Sequence, residues 1–267
     1  MRISLLQYPI AWADKAQNLL FFQEKIAALS AQTDVVILPE MFTTGFCTAQ
    51  PELAEPMQGE TVNTLCKWAK DYDVAIVGSF IAKENGKMYN RAFFVTPEGS
   101  IAHSDKRHLF SLAKEHELFG GGNTKLLVNY KGVNFLVLVC YDLRFPVWSR
   151  NVNNEYDVLV YVANFPTKRI ADWDTLLAAR AIENQAYVCG VNRVGTDGLG
   201  IDYNGHSALL DYKGEKLLQF DDYEENAKTS IIDLAKLRIY REKFPAWRDA
   251  DCFLMRYAGC EELRIKN

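Results

Sequence analysis

The sequence predicts an α/β layered fold, and three observations carry that prediction. Short continuous apolar runs of strand length alternate with longer segments of helical period. Three of those runs end on a reactive or polar side chain. No low-complexity linker and no repeat of fixed period divides the 267 residues, so one domain over 1–267 is expected. Continuous apolar runs mark strands covered on both faces, because neither side of the pleat meets water.

The elements follow in order. Arg2–Pro9 reads as the first strand, and Asp14 stands as an N-cap before Lys15–Ala31, where apolar residues recur at helical spacing. Asp34–Pro39 ("DVVILP") is a short buried strand, Glu60–Tyr72 a second helix and Val74–Ile81 another buried strand. Met88–Val95 and Ile101–Ser104 pair across "TPEGS", a hairpin turn signal. Phe135–Cys140 is the next buried strand, a Pro-led segment from Pro146 is helical, and "DVLVYVAN" from Asp157 is a further strand. Trp173–Gln185 reads as a long helix and Tyr187–Asn192 as a strand, and "HSALLDYKGEKLLQF" is strand-rich with a Lys-Gly turn.

Composition narrows the function classes. Lys and Arg total 30 against 34 for Asp and Glu, a net charge of −4, and no basic stripe is present to track phosphates, so no nucleic-acid partner is expected. The longest apolar runs, such as Val35–Pro39 and Phe135–Cys140, fall far short of the ~18 residues of a membrane span. Near the N-terminus Gln7 interrupts the apolar stretch and Asp14 follows, unlike a secretory signal. The six cysteines (Cys47, Cys66, Cys140, Cys189, Cys252 and Cys260) form no CxxC pair, which predicts reduced thiols and a cytoplasmic location. No His/Cys/Asp cluster has zinc spacing, and "GGGN" at 120–123 lacks the pattern of a phosphate loop, so neither a metal nor a cofactor is expected.

The chemistry sits where strands end. Glu40 follows "DVVILP", Cys140 follows "FLVLV" and Asn164 follows "DVLVYVA"; ligands of α/β sheets bind beyond the carboxyl ends of strands. A buried cysteine is ordinarily a small core hydrophobe. Cys140 differs by position: "YDLRFP" leaves the sheet sharply behind it, so the Tyr141 amide can point where the sulfur points and serve as an oxyanion donor. Glu40, after an apolar run and a proline, is poorly solvated, which favours a proton acceptor usable near neutrality; the competing reading is a solvated or capping glutamate. Lys106 in "SDKRHLF" is by type a solvated charge, and a functional role depends on a thiolate or oxyanion nearby.

Taken together, "ILPEMFTTGF", "SDKRHLF" and "LVCYDLRFP" resemble, in this order, the nitrilase superfamily of carbon–nitrogen hydrolases. "ANFP", "AARAIENQAYVCGVNRVG", "NGHSALLDYKGE" and "KFPAWRDAD" are similar to further segments of that family, so the resemblance covers nearly the whole chain. "DKRHLFSLAKEHELF" with "VCYDLRFPVWSRN" looks most like the omega-amidase branch, whose members hydrolyse the terminal amide of 2-oxoglutaramate or 2-oxosuccinamate.

The resemblance implies a four-layer α-β-β-α sandwich, assembly into a homodimer or higher homo-oligomer, and a C-terminal tail from about residue 233 that joins those contacts. It implies Cys140 as nucleophile, Glu40 as general base and Lys106 as oxyanion stabiliser. A second glutamate of the family matches Glu115 best, with Glu117 close enough for the register to differ. Arg144 is a candidate for a substrate carboxylate, against an ion pair with Asp142 or another acid; Lys168 and Arg169 are rival cations. Asn164 is a candidate substrate contact, and Phe46 and Trp173, with Phe42, are candidate pocket walls, against plain core. Other readings remain: a hydrolase of nitriles, N-carbamoyl amines or peptide-like amides, or a non-catalytic binding or scaffold protein of the same fold.

Overall fold

The computed structural model describes residues 1–251 and 253. In chain order the elements are β1 (Arg2–Gln7), α1 (Lys15–Ala28), β2 (Val35–Ile37), α2 (Glu60–Tyr72), β3 (Ala75–Glu84), β4 (Lys87–Val95), β5 (Ile101–Asp105) and α3 (Glu115–Leu118). Then come β6 (Leu126–Tyr130), β7 (Val133–Val139), α4 (Pro146–Ser149), β8 (Val158–Ala163), α5 (Ile170–Asn184) and β9 (Tyr187–Asn192). The last part comprises β10 (Val194–Thr196), β11 (Asp202–Asn204), β12 (Ala208–Leu210), β13 (Lys216–Gln219), β14 (Asn226–Ile231) and α6 (Leu234–Lys243).

Two six-stranded sheets form, in the orders β14-β1-β2-β3-β4-β5 and β13-β12-β9-β8-β7-β6, and β10 pairs with β11 apart from them. The central pairs β1–β2, β2–β3, β7–β8 and β8–β9 are parallel. Alternate residues of each sheet face the other: Ile3, Leu5, Val35, Ile37 and Val77 share one core with Phe135, Val137 and Val139, and the Phe94 and Phe135 rings meet at 5.3 Å. The opposite face of the first sheet, with Leu6, Val36, Leu38 and Ile76, is covered by Leu19, Phe22 and Ile26 of α1 and Leu65 and Trp68 of α2. On the second sheet α5 packs so closely that a Cβ at Gly190 would stand 2.4 Å from Leu177 and 2.8 Å from Trp173. Helices, sheet, sheet and helices therefore make four layers, which is why the central strands read as unbroken apolar runs.

Several boundaries differ from the sequence expectation. The first helix stops at Ala28, where Leu29 caps it. The Phe135–Cys140 strand ends one residue early, at Val139. Helix α5 begins at Ile170 and stops at Asn184, with Gln185 in the left-handed region at φ +46°. Four strands outside the expected set are β6, which pairs antiparallel with β7, β14, which closes the first sheet beside β1, and the β10–β11 pair. β14 carries no apolar run: its residues are a mixture of half-buried and exposed, none of them buried. Helix α6 docks on its own chain, where Arg241 binds Asp157 at 3.0 Å and the main-chain oxygens of Tyr156 and Gln185. Cys252, Cys260 and the tail beyond residue 253 lie outside the described residues. Among the described residues no helix is long and apolar enough to cross a membrane.

Candidate active site

At the end of β7 the chain turns through Cys140, whose φ is +45°. A non-glycine residue in that region costs about 1–3 kcal/mol and persists only where its surroundings hold it. The holder is Asp142, 1% exposed. Its Oδ2 accepts from Val139 N at 3.1 Å, and its Oδ1 accepts from His108 N at 3.0 Å and pairs with His108 Nδ1 at 2.7 Å. One carboxylate thus ties the cysteine turn to the segment carrying Lys106. The Cys140 sulfur lies 3.8 Å from the main-chain oxygen of Asn164. Burial pushes the thiol well above its ordinary pKa and the charge of Glu40 adds to this, while Lys106 opposes it. The group at rest is a thiol, and it needs a base to become a nucleophile.

Glu40 is fully buried just past β2. Its Oε1 accepts from Asn90 Nδ2 at 2.7 Å and Lys106 Nζ at 3.1 Å. Its Oε2 accepts from Asn164 N at 2.8 Å, and Asn164 Nδ2 reaches the Glu40 main-chain oxygen at 2.8 Å. Lys106 follows β5 and is 2% exposed. Its Nζ also donates to Glu115 at 3.2 and 3.0 Å and sits 5.3 Å from the centre of the Phe46 ring. Burial by itself would lower the Lys106 pKa, but Glu115 and Glu40 together outweigh it and hold it above the ordinary value, so the ammonium is charged. Behind it the glycine run passes very close: a Cβ at Gly122 would stand 2.0 Å from the Asp105 oxygen. The stretch 120–123, which forms no turn, braces the lysine, with Gly122 N donating to Lys106 O at 2.9 Å.

Three separate stretches of chain so deliver a thiol, a carboxylate and an ammonium to one buried place beyond the strand ends. The pattern that defines the carbon-nitrogen hydrolase family matches residues 2–242. The chain belongs to the carbon–nitrogen hydrolase family. Omega-amidase YafV of Escherichia coli (strain K12) is 45% identical over 255 residues, 95% of this chain and 98% of that one. The 2-oxoglutaramate amidase of Bacillus subtilis (strain 168) is 35% identical, over 92% of this chain and 96% of its own. The crystal structure of XC1258 from Xanthomonas campestris, a CN-hydrolase superfamily protein with an arsenic adduct in its active site, superposes with a TM-score of 0.94. It is 39% identical and covers 96% of this chain and 99% of its own.

In this carbon–nitrogen hydrolase Glu115, fully buried and bound to Lys106 and to Phe110 N at 2.6 Å, sits within the cluster, whereas Glu117 is exposed. Asn164 joins Glu40 to the sulfur, and Phe46 lies against Lys106. Arg144 pairs with Asp172 at 2.6 Å, not with Asp142. Lys168 is exposed and Arg169 lies 5.2 Å from the Phe110 ring centre, both on the turn Thr167–Arg169. Trp173 is 0% exposed, donates from Nε1 to His206 O at 2.9 Å and packs on Phe165 at 5.2 Å. Phe42 is likewise fully buried. Both aromatics occupy core positions, the alternative weighed for them in the sequence. Sequence reasoning missed Asn90, Asp142 as a brace and His108. Asn90 left one signal, a polar residue within the apolar strand "MYNRAFFV".

Proposed function

We propose that the protein is an omega-amidase: it cleaves the terminal amide of small 2-oxo dicarboxylic acid monoamides, such as 2-oxoglutaramate and 2-oxosuccinamate, to the 2-oxo acid and ammonia. The observation that carries hydrolysis is one buried ammonium, Lys106, shared by the carboxylates of Glu40 and Glu115 beside a buried thiol on a left-handed turn. The substrate class rests on the likeness to the Escherichia coli and Bacillus subtilis enzymes.

Glu40 takes the Cys140 proton, and the sulfur attacks the amide carbonyl. The oxyanion meets Lys106 Nζ and the Tyr141 amide, each donor of this kind being worth roughly 3 kcal/mol. Protonated Glu40 then donates to the nitrogen, the C–N bond breaks and ammonia leaves a thioester. Glu40 next removes a proton from water as the water adds, and collapse expels the thiol and the acid. A positioned proton donor and acceptor contributes about 10²–10⁴-fold. Glu115 keeps the lysine charged and in place. Arg144, held by Asp172 at 2.6 Å, is one candidate for the substrate carboxylate, and Lys168 and Arg169 on the turn Thr167–Arg169 are its rivals.

The free state of Cys47, Cys66, Cys140 and Cys189 supports a reducing, cytoplasmic setting. Exposed Ile239 and Phe244, at 50% and 58%, support a homo-oligomeric contact through the segment from about residue 233.

Ammonia release from 2-oxoglutaramate and 2-oxosuccinamate, compared with a nitrile, an N-carbamoyl amine and a peptide-like amide, tests the reading. The 2-oxo acid amides should be turned over fastest. Equal or faster release from the nitrile overturns the substrate assignment, and ammonia release by Cys140→Ala at the wild-type rate overturns the nucleophile.

A further inference from the structure

Asn90 stands in β4 with none of its surface exposed, next to the apolar stretch Ala92–Val95. A carboxamide is costly to bury unless its polar atoms are used. Its Nδ2 donates to Glu40 Oε1 at 2.7 Å and also reaches Glu115 Oε1 at 3.4 Å. Its main-chain oxygen accepts from Lys106 N at 2.8 Å. One residue therefore touches the base, the second carboxylate and the backbone of the lysine. Its Oδ1, by contrast, is buried with no hydrogen-bond partner. Turning the carboxamide over would set that oxygen against two carboxylates. The fold tolerates an orphaned acceptor in order to keep a donor between two acids.

The charges explain the need for such a donor. Glu40 and Glu115 bring two negative charges within 3.2 Å of one ammonium, all closed off from water. Paired carboxylates in such a place tend to share a proton, which would leave Glu40 unable to accept one from the thiol. We propose that Asn90 is a positioning residue whose amide donor, set between Glu40 and Glu115, keeps the Glu40 carboxylate available as the acceptor of the thiol proton. The other groups facing this pair come from separate elements. Lys106 lies at the end of β5, Cys140 at the end of β7, Asn164 at the end of β8 and Phe110 N before α3. The neighbouring Arg91 turns away from the pair, to Asp105 and Glu84.

This inference rests on Glu40 acting as the base in the reading above. Its test is the pH dependence of kcat/KM for Asn90→Ala. The acid limb should move up by about one unit, a tenfold change in proton concentration, with most of the lost activity recovered on the alkaline side. Asn90→Ser, which keeps a hydroxyl donor, should show a smaller displacement, and it serves alone if the alanine variant does not fold. The rate of Cys140 alkylation by iodoacetamide, followed by intact mass, should show the same displacement without any substrate. A fall in activity that is uniform with pH, with the acid limb unmoved in both readouts, overturns the proposal. A moved alkylation limb in a protein that turns over no 2-oxo acid amide keeps Asn90 in its role and removes only the substrate assignment.

Discussion

Glu40 and Asn164 are joined twice: the Asn164 main-chain N–H donates to the Glu40 carboxylate and its side-chain Nδ2 donates to the Glu40 main-chain oxygen, each at 2.8 Å. The main-chain oxygen of Asn164 meanwhile lies 3.8 Å from the Cys140 sulfur. Asn164, the first residue after β8, thus sets the spacing between the Glu40 carboxylate and the Cys140 sulfur. Asn164→Ala keeps the main-chain bond and removes the side-chain one. We expect kcat to fall by about tenfold or more, the scale of a hydrogen bond worth ~1.5 kcal/mol, with KM changed less than kcat in steady-state kinetics. An unchanged kcat would remove Asn164 from the machinery.

Lys106→Met should do more than abolish turnover. It leaves Glu40 and Glu115 buried without their common cation, and breaking a buried pair from one side costs about 3–5 kcal/mol. Urea denaturation at neutral pH should show that loss, and an equally stable Lys106→Met protein would contradict it.

Asp142→Ala removes three interactions at once, with Val139 N, His108 N and the His108 ring. The turn that holds Cys140 at φ +45° then loses its brace. Activity should fall by about a hundredfold, and the thermal midpoint should drop by several degrees, as expected for roughly 2 kcal/mol or more in unsatisfied buried groups. A fully active, equally stable Asp142→Ala protein would contradict the account of the turn.

Stability should decline on the alkaline side. Burial holds the Cys140 and Cys189 thiols above their ordinary value of 9.0 in the folded protein. A raised folded pKa means that the native state keeps a proton the unfolded chain gives up. The contribution is whole below about pH 9 and is lost as pH rises beyond it. Chemical denaturation between pH 8 and pH 10.5 should show this slope, and Cys189→Ala should flatten part of it.

Much of the architecture was legible because burial on both faces writes itself into the chain as apolar runs. Val35–Ile37, Phe135–Val139 and Val158–Ala163 lie between a second sheet and a layer of helices, and each reads as a strand from its residues alone. Elements with one wet face left weaker marks. β14 mixes half-buried and exposed residues and takes its strand geometry from pairing with β1, at the other end of the sequence (Arg2 with Ile231, Gln7 with Asn226). No local pattern can announce a partner so distant.

At the site, the residue types and their places after strand ends were set by the sequence itself: Glu40, Cys140 and Asn164 follow apolar runs that must be buried, and Lys106 follows the second strand of a hairpin. What those groups do to one another was decided only by the tertiary structure. It chose Glu115 over Glu117, gave Arg144 to Asp172 and put Asn90 between two carboxylates. The reason is physical. Burial follows from local apolarity, but ionisation and hydrogen bonding depend on distances of about 3 Å between residues that the chain itself keeps far apart.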